Sequence, residues 1–366
     1  MKNFFRSQPV LVISFVAAAV TVMMVHPDKQ YLGYINKTVL IELFSLMTAV
    51  AGLRSVGIFD SATSLMLRKT GTVRKLALVF ILLCYFSAML VTNDVALITF
   101  IPLTILVFDK IKDEKSRILT IVLETCAANA GSMLTPVGNP QNLYAYDKFS
   151  LSMGDFMRTM LPAGIMSLAM ICLLTLLLPN TPCKASDSGT AKIEKVPMIG
   201  YCALFAVCLM TVLRIVPDVV CFAAAVLTAL IFNKKLLLRV DYSLLATFVW
   251  FFIFVGNIAR IDAVRSFFSG ILSGRELLVT TLLSQVISNV PATVMLAGFT
   301  ENGTQLLLGA DIGGFGTLIA SLASLISFQI YRKSESADSK RYLLVFSAIN
   351  FGMLIPLILI HIFILK

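Results

Sequence analysis

"GSMLTPVGNPQN", residues 131–142, interrupts a chain that is otherwise apolar enough to live in lipid. Its twelve positions hold two glycines, two prolines, two asparagines, a glutamine and a threonine. Such a stretch has a use inside a membrane only if the helix is meant to open there. Gly131 and Gly138 are expected to allow unusual dihedrals, and Pro136 and Pro140 to keep the helix from closing over the gap.

The surroundings justify the word membrane. Of 366 residues, 58% are hydrophobic and 14% charged, and the mean hydropathy is +0.90. Soluble domains are about half apolar and about a quarter charged, so the composition is that of an all-α polytopic membrane protein. Counting apolar runs of roughly 17–25 residues predicts nine crossings, at 9–25, 38–59, 117–146, 158–178, 197–214, 218–232, 242–259, 306–330 and 341–364. The first lacks a small-residue cleavage site and is taken as a retained span. Two further stretches, 75–108 with "TND" at 92–94 and 277–299 with "SNVP" at 288–291, are expected to be hairpins that enter and leave on one side. Pro291 removes a helical hydrogen bond, and irregular backbone at such a tip must be satisfied by protein or a water-filled cavity.

The formal net charge of +10 does not point to nucleic acid, because the basic residues lie in short loops without interleaved aromatics. They sort by side instead. Arg68, Lys69, Arg74 and Lys75; Lys110, Lys112, Lys115 and Arg117; Lys184, Lys192 and Lys195; Lys234, Lys235 and Arg239; and Arg332, Lys333, Lys340 and Arg341 form one set. The loops 26–37, 147–157, 215–217, 260–276 and 300–305 carry far fewer. With nine crossings in a plasma (inner) membrane, the N-terminus and every basic loop are cytoplasmic and the C-terminus external. Seven cysteines, mostly inside apolar runs and without a CxxC, are expected to be reduced packing residues. His26 and His361 stand too far apart in sequence to suggest a metal site.

The polar segment 180–197 divides the chain into an N-terminal half, 1–179, and a C-terminal half, 198–366, and is expected to be a flexible cytoplasmic linker. The halves echo each other. "TNDVA" (92–96) resembles "SNVPA" (288–292) at an offset of 196, and "NAGSMLTPVGNPQN" (129–142) resembles "DIGGFGTLIASLAS" (311–324) at an offset of 182. These pair Asn93 with Asn289, Asn129 with Asp311, Gly131 with Gly313 and Thr135 with Thr317. Counting crossings puts the first hairpin's mouth in the cytoplasm and the second's outside, which makes the repeats inverted. Inverted repeats with broken helices are the secondary-transporter design, in which half-helix N-termini face anions and freed carbonyls and amides hold cations.

The four motifs "LVTNDVALITFIPLTI", "NAGSMLTPVGNPQN", "LSQVISNVPAT" and "GADIGGFGTLIASLASLI" resemble the ion transporter superfamily, in its citrate-transporter-like or anion-permease branch. Arsenite permeases and divalent-anion/sodium symporters are similar, and the resemblance covers roughly residues 35–365. It implies a homodimer working by an elevator motion, with a small inorganic or organic anion between two hairpin tips and sodium beside them. Carried over, one tip is Thr92, Asn93 and Asp94, and the other Ser288, Asn289 and Val290. The helix breaks add Thr135, Gly138, Asn139 and Asn142, with Asp311 and Thr317 opposite. Asn93, Asp94 and Asn289 are the implied sodium ligands. The sequence departs from the family's Ser-Asn-Thr tips at Asp94 and Val290, and a dianion beside an ionised Asp94 is repelled unless sodium or a proton neutralises it.

Simpler roles stand beside these. Asn93 and Asn289 can cap inner half-helices, and Asp94 and Asp311 can cap rather than couple ions. Glu124 can snorkel or pair with a basic loop, and Glu42 near an interface has no evident task. "GGFG" (313–316) lacks the Lys-Ser/Thr ending of a phosphate loop. No Ser-His-Asp set, HExxH or Walker motif argues for an enzyme, and no cofactor is expected beyond bound sodium. The expectation is an anion symporter driven by sodium or protons. A sodium/proton antiporter or arsenite-type exporter is the alternative, and an anion channel a more remote one.

The Lys/Arg asymmetry fixes a test. A reporter fused after Lys366 should register as external and one inserted in 184–195 as cytoplasmic; both on one side would break the inverted-repeat reading.

Overall fold

The computed structural model describes residues 9–57, 71–183, 194–334 and 337–363. Arg68, Lys69, Lys184, Lys192, Lys366 and most of the linker 180–197 lie outside the described residues. Every regular element among the described residues is helical, apart from one isolated bridge between Thr72 and Pro182.

In the first half, α1 (Pro9–Met24), α2 (Lys37–Ser55) and α3 (Val73–Val91) are followed, after the single residue Thr92, by α4 (Asn93–Ile111). Then come α5 (Glu114–Ser132), a seven-residue break at 133–139, α6 (Pro140–Lys148) and α7 (Met153–Leu174). The second half runs α8 (Lys195–Val212), α9 (Asp218–Phe232), α10 (Tyr242–Ile258), α11 (Asp262–Leu272) and α12 (Glu276–Ile287). Ser288 leads into α13 (Asn289–Leu296), and α14 (Gly303–Ile312), a break at 313–321, α15 (Leu322–Arg332) and α16 (Ser339–Phe363) close it.

Side-chain caps explain several of these starts. Asn36 accepts from Val39 N–H at α2, Thr72 from Lys75 N–H at α3, Asp113 from Ser116 N–H at α5 and Asn139 from Asn142 N–H at α6. Pro140 sits in the first turn of α6, where its missing N–H costs nothing. The same holds for Pro291, which lies in the first turn of α13 rather than breaking a helix.

Among the described residues, five helices are long and apolar enough to cross a membrane, and the bent pair α10–α11 would make a sixth. The expected crossings 117–146 and 306–330 are each split by a break into two shorter helices, while α1 and α9 have 16 and 15 residues. Of the nine expected crossings, four are long apolar helices (α2, α7, α8 and α16), 242–259 is the first arm of the bent pair, two run through polar breaks and two are the shorter α1 and α9; the fifth long helix, α3, lies in the expected hairpin 75–108. The sequence count also took 260–276 for a loop. That stretch holds α11, set at 103° to α10, with Phe268 stacked on Phe299 at a centroid distance of 4.9 Å and Phe267 turned outward.

The loops gather at two ends. At one end Val73 N–H donates to Thr181 O at 3.0 Å and Cys183 N–H to Gly71 O at 3.1 Å, while Tyr331 OH donates to Glu114 at 2.5 Å. At the other, Arg260 pairs with Asp28 at 2.9 Å and Asn36 donates to Asp147 at 2.5 Å. Among the described residues, the first end holds the basic set that includes Arg74, Lys75, Lys112, Lys115 and Arg332. The first hairpin, α3–α4, has its mouth there; the second, α12–α13, has its mouth at the opposite end, where Thr300 donates to Glu276 at 3.0 Å.

α3 lies against α5 so closely that a Cβ on Gly131 would sit 2.0 Å from Tyr85 O. Close approach, not an unusual dihedral, is what Gly131 supplies; the same is true of Gly138, whose Cβ would fall 2.1 Å from Ser132 O. Neither has a positive φ. Gly131→Val should therefore destabilise the purified protein by about 1–3 kcal/mol, read as a lower thermal unfolding midpoint. Gly270→Ala in α11, where an added Cβ meets nothing within 4 Å, should leave that midpoint unchanged or slightly raised.

Candidate functional site

Each hairpin tip turns on one residue in a conformation that side chains rarely tolerate. Thr92 has φ 79° and ψ 150°, and Ser288 has φ 76° and ψ 152°. This region belongs essentially to glycine and costs of order 1–3 kcal/mol elsewhere. The turn delivers the next N–H of each tip to its own repeat's broken helix. Asn93 N–H donates to Gly138 O at 3.2 Å, and Asn289 N–H to Ala320 O at 2.9 Å. The Asn side chains then cap their own helices, Asn93 Oδ1 accepting from Asp94 N–H at 2.9 Å and Asn289 Oδ1 from Val290 N–H at 3.0 Å. A second bond repeats likewise: Thr135 donates to Met89 O, and Thr317 to Gln285 O. All these pairs follow the offsets of 196 and 182 seen in the sequence.

The two breaks also hold each other. Asn139 of the first donates to Asp311 Oδ1 at 3.2 Å, and Ser321 of the second donates to Asn129 Oδ1 at 3.1 Å. Since Asn129 matches Asp311 and Asn139 matches Ser321, these are one bond made twice across the pseudo-two-fold. Gln141 adds a second donor to Asp311 Oδ1 at 3.0 Å, and Asn93 Nδ2 a second to Asn129 Oδ1 at 3.1 Å. Among the described residues, Asp311 Oδ2 and Asp94 Oδ1 are buried with no hydrogen-bond partner. In such surroundings an unpaired carboxylate oxygen is expensive.

Beside this junction lies a cavity of about 790 Å³. Thr92 and Asp94 of α4's first turn, Asn139 and Pro140 of α6's, and Leu322 of α15's border it. The first turns of three half-helices, with their partial positive charge, thus border one space. Ser321 makes no side-chain cap on α15; its hydroxyl donates to Asn129. Arg54 and Arg239 border the cavity toward the end that carries the basic loops.

A family model described as citrate transporter matches residues 5–302. The chain belongs to the citrate transporter family. Inner membrane protein YbiR of Escherichia coli is 31% identical over 306 residues, 82% of each chain. An uncharacterized transporter of Methanocaldococcus jannaschii is 32% identical over 326 residues, 87% of each. A 46 kDa membrane protein of Mycobacterium leprae is 22% identical over 372 residues, 88% of this chain and 86% of its own. This citrate-transporter-family protein is an integral membrane transporter.

Of the residues singled out in the sequence, Thr92, Asp94 and Asn139 border the cavity, and Asn93, Asn289, Ser288 and Asp311 are buried behind it. Gly138, Thr135 and Thr317 lie in the seams between tip and break. Asn142 laces the first break, its Nδ2 reaching the carbonyls of Ser132 at 3.3 Å, Met133 at 3.5 Å and Thr135 at 3.3 Å. Gln285 does the same for the second, donating to Gly313 O at 2.9 Å and Phe315 O at 3.0 Å. Gln141, Gln285 and Ser321 were absent from the sequence expectation, although Ser321 follows from Asn139 by the 182 offset. Glu124 neither snorkels nor meets a loop: it is fully buried and accepts from Thr104 at 2.6 Å.

The strained tips give a test. Thr92→Gly and Ser288→Gly should each raise the thermal midpoint, since relief of about 1–3 kcal/mol of strain outweighs the roughly 0.5–1 kcal/mol entropy cost of glycine. A fall in both would show that neither tip stores strain.

Proposed function

We propose that this transporter is a secondary active carrier of a small anion, coupled to sodium or protons and working by alternating access in the plasma (inner) membrane. One observation supports it above all: the first turns of three half-helices and Asp94 border one cavity, and Asp311, with an unpaired oxygen of its own, lies one hydrogen bond away behind Asn139. The N–H groups recognise negative charge. Asp94 and Asp311 repel that same charge unless a cation or proton accompanies it. An anion and its coupling ion therefore favour each other's binding, which is what symport requires.

The reading includes a homodimer, by family resemblance, and sodium contacts from Asn93, Asp94 and Asn289. A channel needs no such mutual dependence and no closure at one end. Here the cavity borders Arg54 and Arg239 on the basic-loop side, while Asn36 and Arg214 join α6 to its neighbours at the other.

Purified protein in liposomes, screened with small carboxylates and inorganic anions, should accumulate one of them above equilibrium under an imposed sodium or pH gradient. Asp94→Asn and Asp311→Asn should keep anion binding but lose its dependence on sodium or pH. Full retention of the parent's ion and pH response in both variants would sink the coupling role. Uptake that never exceeds the gradient would favour the channel.

A further inference from the structure

A second cavity, of about 330 Å³, lies at the end opposite the basic loops. Thr38 and Glu42 of α2, Tyr146 and Asp147 of α6, and Arg214 and Asp218 from the α8–α9 turn line it. Its charges are three carboxylates against one guanidinium.

Arg214 is bonded to a neutral group: it donates to Tyr146 O at 3.1 Å and lies 5.1 Å from the centroid of the Tyr146 ring. Asp147 accepts from Asn36 at 2.5 Å and Asp218 from Thr38 at 3.0 Å. Glu42 is left over. It is 5% exposed, feels Asp147 and Asp218 as like charges and Arg214 as an opposite one, and among the described residues neither of its oxygens has a hydrogen-bond or ion-pair partner. One guanidinium against three carboxylates leaves the cavity with an excess of negative charge.

We infer that this outer cavity binds a small monovalent cation, with Glu42 as its principal ligand and Asp147 and Asp218 completing the charge. Calcium or magnesium would need several oxygens converging at short range, and no three acidic, cysteine or histidine side chains converge that way among the described residues. At roughly 30 Å³ per water, the cavity leaves a monovalent ion room for part of its hydration shell. The site lies at the far end of α6 from Asn139 and Gln141, which hold Asp311. One nine-residue helix thus links the outer ion to the inner carboxylate. This inference goes beyond the anion site and does not need it.

The test uses the full-length protein in detergent, first as the Asp94→Asn/Asp311→Asn variant, which silences the inner carboxylates. Its thermal unfolding is followed in sodium, potassium and choline chloride at equal ionic strength. Sodium or potassium should raise the midpoint over choline by about 2–4 °C. Adding Glu42→Gln should abolish that rise, and Glu42→Asp should keep part of it. If the double variant is not monodisperse, Glu42→Gln, Asp147→Asn and Asp218→Asn in the parent should each lose part of the parent's cation-dependent rise. No cation-dependent rise in the double variant, or an equal rise after Glu42→Gln in either background, overturns the outer site. The first of these outcomes leaves the inner-site coupling intact, since the cation response would then belong to Asp94 and Asp311.

Discussion

An unwound helix in apolar surroundings leaves N–H and C=O groups without partners, each a loss of several kcal/mol in lipid. Two breaks, 133–139 and 313–321, create that problem here, and the hairpin tips answer it. The tip N–H of Asn93 goes to Gly138 O and that of Asn289 to Ala320 O. The amides of Asn142 and Gln285 collect further carbonyls at each break. Much else follows from this constraint. The tips must reach the breaks, so α3 must press against α5 and a glycine must stand at 131. The turn that aims each tip bends Thr92 and Ser288 into a region meant for glycine.

The arrangement also explains why the site is rigid on one side and adaptable on the other. On one side of the cavity, Asn139 and Gln141 hold Asp311 and Ser321 holds Asn129, and all five residues are buried. Linked bonds of that kind fix their members by cooperative polarisation. In front, among the described residues, Asp94 has no hydrogen bond that holds its carboxylate oxygens in place, so its side chain is free to turn.

The breaks and tips were legible in the sequence because polar, proline-rich interruptions have few uses in a lipid-grade chain. Their pairing was legible because a constant offset survives even where identities change, as with Asn129 and Asp311. Other features left no such mark. An unusual dihedral at a threonine or serine has no signature when glycine is absent, so attention fell on Gly131 and Gly138 instead. Glu124 looked like a residue near the cytoplasmic end, because its partner Thr104 is met only after α4 folds back on α5. α11 is apolar on one face alone, and a hydropathy count built for full crossings passes over it. Gln141 and Gln285 are single amides whose partners lie 170 and 28 residues away, beyond the reach of any local pattern.

The pseudo-two-fold is broken at two places with an electrical result, Asp94 opposite Val290 and Asp311 opposite Asn129. Asn139 corresponds by offset to Ser321. If opening to the other face exchanges the roles of the repeats, the wall now formed by Thr92, Asp94 and Asn139 gives way to one formed by Ser288, Val290 and Ser321. The first wall carries a carboxylate and the second carries none. A travelling ion would then leave one lining and meet another of different polarity, and the passage would act less like a revolving door than like a rectifier, loading and unloading at different affinities.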